Sequence, residues 1–65
     1  MRDRDEAHGY AKAWANATGC PQTIWRDPGT GQWLSIGTNL YEQFPRPNAQ
    51  HREDVHPDTE KAPTS

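Results

Sequence analysis

The sequence predicts an α+β mini-domain: an N-terminal α-helix packed on an antiparallel β-hairpin of two or three strands, followed by a disordered C-terminal tail. Three observations lead there. Apolar residues recur at helical spacing as far as Thr18, the turn Asp27-Pro28-Gly29-Thr30-Gly31 separates two β-rich runs, and from Pro45 onward the chain turns to proline and charge. Residues 1–45 are accordingly expected to form one helix-plus-hairpin domain and residues 46–65 a polar tail.

The helix is expected from about Asp3 to Thr18, because Ala7, Tyr10, Ala11, Trp14 and Ala17 or Thr18 recur at intervals of three and four. Asp3 or Asp5 caps its start, acidic residues in the first turn suit the positive end of the helix dipole, and Gly19 before Cys20-Pro21 stops it. Gly9 costs about 1 kcal/mol relative to alanine inside a helix, which leaves His8 as an alternative start. On this reading the alanines let the backbone approach a sheet while Tyr10 and Trp14 make the large contacts.

The hairpin follows over residues 22–36. Pro28 presets the φ of the first central turn position, Gly29 can take a positive φ, and Gly31 can serve as a left-handed bulge residue. Pairing placed symmetrically about this loop sets Trp25 opposite Trp33 and Ile24 opposite Leu34. Trp25, Trp33, Thr23 and Ser35 would then share one face, with Ile24, Leu34 and Ile36 on the other. One helix covers only one of those faces. A slip of one residue would redistribute both sets. The segment Leu40-Tyr41-Glu42-Gln43-Phe44 reads equally well as a short third strand or as a helical turn capped by Thr38 or Asn39. Beyond it, Val55 is the only sizeable aliphatic residue among Pro45, Pro47, Pro57, Pro63 and many polar side chains, the composition of a disordered segment.

Composition narrows the function classes. A 65-residue chain buries a smaller fraction of its surface than a typical domain does, so stability is marginal and self-association, as a homodimer, is one way to enlarge the core. A single cysteine rules out an internal disulfide framework and fits a reducing, cytoplasmic setting. No apolar run approaches the roughly 20 residues of a membrane span, and no apolar stretch follows the charged N-terminus as in a signal peptide. Seven Lys and Arg against nine Asp and Glu give a formal charge of −2, which disfavours dedicated duplex DNA binding.

No catalytic, metal or cofactor motif stands out. His51, Asp54 and His56 are close in sequence, but structural zinc normally takes four ligands from an ordered frame. Cys20 and His8 lie toward opposite ends of the helix, too far apart for a nucleophile and its base. Gly29-Thr30-Gly31 lacks the lysine and the spacing of a phosphate loop. The expectation is therefore a chain that is not an enzyme and carries no cofactor.

What remains is binding. Trp25, Arg26, Trp33 and Tyr41 are the candidate partner-binding residues, since Trp, Tyr and Arg carry much of the energy of protein interfaces. The competing role for the two tryptophans is core packing. The expected function is that of a small protein-protein interaction module, an accessory or inhibitor protein acting through an aromatic hairpin face. The alternative is stacking of single-stranded nucleic acid on the same rings. In size and composition the chain resembles many small accessory proteins and phage-borne inhibitors of host machinery, a likeness of class that assigns no residue a role.

Overall fold

A computed structural model describes residues 1–58. The elements run α1 (Arg4–Thr18), β1 (Gln22–Arg26), β2 (Trp33–Gly37), α2 (Thr38–Gln43) and β3 (Gln50–Val55). The three strands form one antiparallel sheet in the order β2-β1-β3, so the first strand is central. The helix α1 covers one face of this sheet and α2 lies against part of the other.

The helix α1 forms where its end signals fall. The Asp3 side chain accepts a hydrogen bond from the Glu6 backbone N–H at 2.8 Å, satisfying one of the donors that a helix start leaves open. Gly19 takes the left-handed conformation at φ 73°, and its N–H closes on the Ala15 carbonyl. Gly9 does not delay the start. Its Cα faces open space, with nothing within 4 Å of where a Cβ would stand. Gly9→Ala is therefore expected to stabilise the protein by about 1 kcal/mol, read as a higher midpoint in thermal or urea unfolding.

The buried stripe of α1 is narrower than the periodicity suggests. Ala7, Ala11 and Ala15 are fully buried, whereas Tyr10 and Trp14 are 49% and 50% exposed. The expectation that these two rings make the large contacts with the sheet is thus corrected. Alanines at intervals of four bring the helix backbone close to the strands, and that proximity pushes the larger neighbours out to its flank.

The hairpin register also departs from expectation, and here the consequences are larger. Asp27 pairs with Gln32 through its N–H at 2.8 Å, its carbonyl accepts from Gly31 N–H at 2.7 Å, and Gly31 is left-handed at φ 73°. Asp27 Oδ1 also accepts from the Gly29 N–H at 2.9 Å. Asp27 thus belongs to the strand pairing, the loop proper is Pro28-Gly29-Thr30-Gly31, and Gly31 rather than Gly29 supplies the positive φ. Every pair moves by one place, giving Arg26↔Trp33, Trp25↔Leu34, Ile24↔Ser35 and Thr23↔Ile36. Trp25 and Trp33 are consequently on opposite faces.

On the α1 side, Trp33, Ile24 and Val55 join Ala7 and Ala11 in the core, with Met1 packed against it. On the α2 side, Tyr41 meets Trp25 edge to face at 5.2 Å between ring centroids. The segment that follows β2 is therefore a helix, and the third strand comes from further along the chain.

That strand, β3, corrects the expectation of disorder after about residue 46. Residues 59–65 of the expected tail lie outside the described residues. Between Gln50 and Val55 the backbone pairs with β1, and the side chains anchor to both layers. Glu53 takes a bidentate hydrogen bond from Arg4 of α1 at 2.6–2.9 Å. Asp54 accepts from the fully buried Thr23 hydroxyl at 2.9 Å, and that hydroxyl also meets Thr38 Oγ1 at 2.9 Å. Beyond the strand, Lys12 bonds the His56 carbonyl and the Asp58 carboxylate, each at 2.8 Å. The hydrogen bond from Lys12, helped by Asn16, holds the exposed Asp58 carboxyl below the usual carboxylate range.

Candidate interaction surfaces

The four residues expected to form one binding patch are divided by the sheet. Trp25 and Tyr41 lie on the α2 side, while Trp33 and Arg26 share the α1 side through their mutual pairing. Trp25, Trp33 and Tyr41 are only 3%, 8% and 6% exposed, so the chain itself seals the rings proposed as an open aromatic face. Arg26 donates to Gln50 Oε1 at 2.8 Å and braces the hairpin against β3.

Each buried ring nevertheless has a polar neighbour that reaches solvent. The Arg46 guanidinium lies 5.6 Å from the Trp25 ring centre and donates to the Phe44 carbonyl. The Arg52 guanidinium lies 4.6 Å from the centre of Tyr41. Both are cation–π distances. On the other face His51 stacks on Trp33, with 6.3 Å between centroids and 25° between planes. His51 reaches that position through a β-bulge, since the β1–β3 register shifts between Ile24 and Arg26 and His51 takes φ 54°. No glycine marks this bulge in the sequence, since a histidine takes the left-handed conformation there.

Among the described residues, two surfaces stand out as apolar and open. The first is a groove at the hairpin tip, with Trp25 at its floor and Pro28, Leu34, Arg46 and Pro47 around it; Asp27 also contributes to its lining. Leu34 is exposed there, and Leu40 on α2 and Phe44 at its C-terminal cap are exposed as well. The second is the outer flank of α1, where Tyr10 and Trp14 lie 6.3 Å apart and Trp14 borders a hollow formed with Ala13 and Ala17.

The residues weighed for chemistry do not converge. His51 faces Trp33 while Asp54 bonds Thr23 on the opposite face, and among the described residues no group of three or more His, Cys, Asp or Glu is placed to hold a metal ion. Cys20 is exposed beyond the end of α1, remote from His8 near its start. No helix among the described residues is long and apolar enough to cross a membrane. No protein-family description, curated protein or solved structure matches this chain.

Proposed function

We propose that this chain is a non-catalytic protein-binding module, of the accessory or inhibitor kind, and that it engages its partner at the hairpin-tip groove. The observation that carries this reading is the stack of Arg46 on Trp25 beside the exposed Leu34. An apolar floor with a guanidinium and a carboxylate among its lining groups suits a partner's apolar side chain flanked by polar contacts. Pro28 and Pro47 stiffen the two loops that wall the groove, which lowers the ordering cost of binding. Of the four residues first singled out, Trp25 serves as the floor and Tyr41 supports it, whereas Trp33 and Arg26 belong to the other face.

Base stacking on the hairpin aromatics would need rings with an open side, and those of Trp25, Trp33 and Tyr41 are buried. Arg46 is exposed, so Arg46→Glu is expected to leave the fold intact while weakening partner capture at least about tenfold. Affinity capture with quantitative mass spectrometry, comparing the native chain with this variant, reads the effect. Retention of the same proteins in equal amounts by both would overturn the groove as the docking site.

A further inference from the structure

The two edges of the sheet are built differently. At β3 the edge carries His51, Arg52, Glu53 and Asp54 in succession and is bent by a bulge, the devices that keep sheet edges from pairing with other chains. At β2 the edge reads Trp33-Leu34-Ser35-Ile36-Gly37, with no charge, no proline and no bulge in its pairing to β1. The Met1 backbone closes only the Trp33 position, exchanging hydrogen bonds of 2.9 and 3.2 Å with it. Because Trp33 points its backbone groups outward, alternation turns those of Ser35 outward too, together with the N–H of Gly37, whose C=O also starts α2 as its N-cap.

We propose that β2 pairs with β2 of a second copy of this chain, about a two-fold axis at Ile36. This register matches Ser35 of each protomer with Gly37 of the other, so that the Gly37 N–H donates to the Ser35 C=O and the Ser35 N–H takes the second lone pair of the Gly37 C=O, whose first serves α2, and it leaves the Met1–Trp33 bridge undisturbed. The occupant is a second copy because the same operation covers a second surface. Lys12 and Asn16 of α1 reach toward the residues after β3, so at 100° per residue Tyr10, Trp14 and Ala17 lie on the opposite flank, toward β2.

A two-fold perpendicular to the sheet keeps both α1 helices on one face. Their underlying β1 strands then stand roughly 14 Å apart, three strand spacings of about 4.8 Å. Helices about 10–12 Å across leave a narrow gap at that separation, and the half-exposed rings of Tyr10 and Trp14 fill it. A standard interface takes about 800 Å² from each partner, roughly a fifth of the 4459 Å² exposed here, which a strand edge together with a helix flank can supply. The joint sheet would have six strands and a shared core, the enlargement that a chain of this size lacks alone.

Sedimentation equilibrium of the full chain from micromolar to millimolar concentration tests this. The expected result is a monomer–dimer equilibrium in which Trp14→Lys raises the dissociation constant at least about tenfold. Ser35→Pro should do the same, since the N–H it removes makes no bond inside the protomer. Amide exchange at Ser35 and Gly37 should slow as concentration rises. Should Ser35→Pro unfold the chain, Trp14→Lys still decides, because Trp14 is on the helix surface. A monomer throughout, or a dimer that Trp14→Lys leaves unchanged, overturns the proposal. Arg46→Glu is expected to leave self-association alone and Trp14→Lys to leave groove binding alone, so the two readings fail separately.

Discussion

A chain ending at Pro45 is expected not to fold. Removing the residues beyond it takes away β3, and with it one of the two neighbours of the central strand β1. Val55 leaves the core beneath α1, and Ile24 and Thr23, both fully buried, are opened to solvent along one side. Thr23 loses the Asp54 carboxylate, Arg4 loses Glu53, and Tyr41 loses the guanidinium of Arg52. What remains is a two-stranded hairpin with helices, and a two-stranded sheet is marginal at best in water. A chain of this length has about 3 to 10 kcal/mol of total stability to lose. Far-ultraviolet circular dichroism with a thermal melt reads the outcome. The expected trace has weak helical signal and no cooperative transition, and a melt as sharp as that of the whole chain would show that β3 is dispensable.

Trp25→Ala and Trp33→Ala are each expected to cost about 3 to 5 kcal/mol, enough to unfold much of the population. Both rings are buried, one against Tyr41 and the other in the cluster with Ala7, Ala11, Ile24 and Val55. The milder pair Trp25→Phe and Trp33→Phe carries more information about arrangement. With the rings on opposite faces and with different neighbours, the two losses should add in the double variant to within about 0.5 kcal/mol. Rings stacked on each other would instead show a coupling of roughly 0.5 to 1.5 kcal/mol. Urea unfolding of the four proteins measures it.

The helix and the hairpin were legible in the sequence because their signals are local. Asp3 caps, Gly19 terminates, and Pro28 with Gly31 reverses the chain, each by chemistry confined to a few residues. The register was not legible, because it depends on whether Asp27 closes the pairing or belongs to the loop, a choice settled by its hydrogen bonds to Gly29, Gly31 and Gln32. The outward turn of Tyr10 and Trp14 was hidden for a related reason: helical spacing marks an apolar stripe but not which part of it a sheet will accept.

The strand β3 was the hardest to see. Gln50-His51-Arg52-Glu53-Asp54-Val55 has the composition of a solvated segment. Its order comes from partners distant in sequence, Arg4, Thr23 and Tyr41, while long side-chain stems cover apolar surface with their charges in water. The candidate site moved for the same reason as the register. Once Trp33 crosses to the helix side, no double-tryptophan face exists, and Arg46, from the segment read as tail, takes the place beside Trp25.

All of these placements rest on which residues stand across from one another in the hairpin. In an antiparallel pair whose backbone groups point outward, the two α-hydrogens approach closely, and Arg26 and Trp33 form such a pair. A two-dimensional nuclear Overhauser spectrum should therefore show a strong cross-peak between the α-hydrogens of Arg26 and Trp33, and another between those of Ile24 and Ser35. A strong α–α cross-peak between Trp25 and Trp33 in their place would contradict the fold described above and the surfaces built on it.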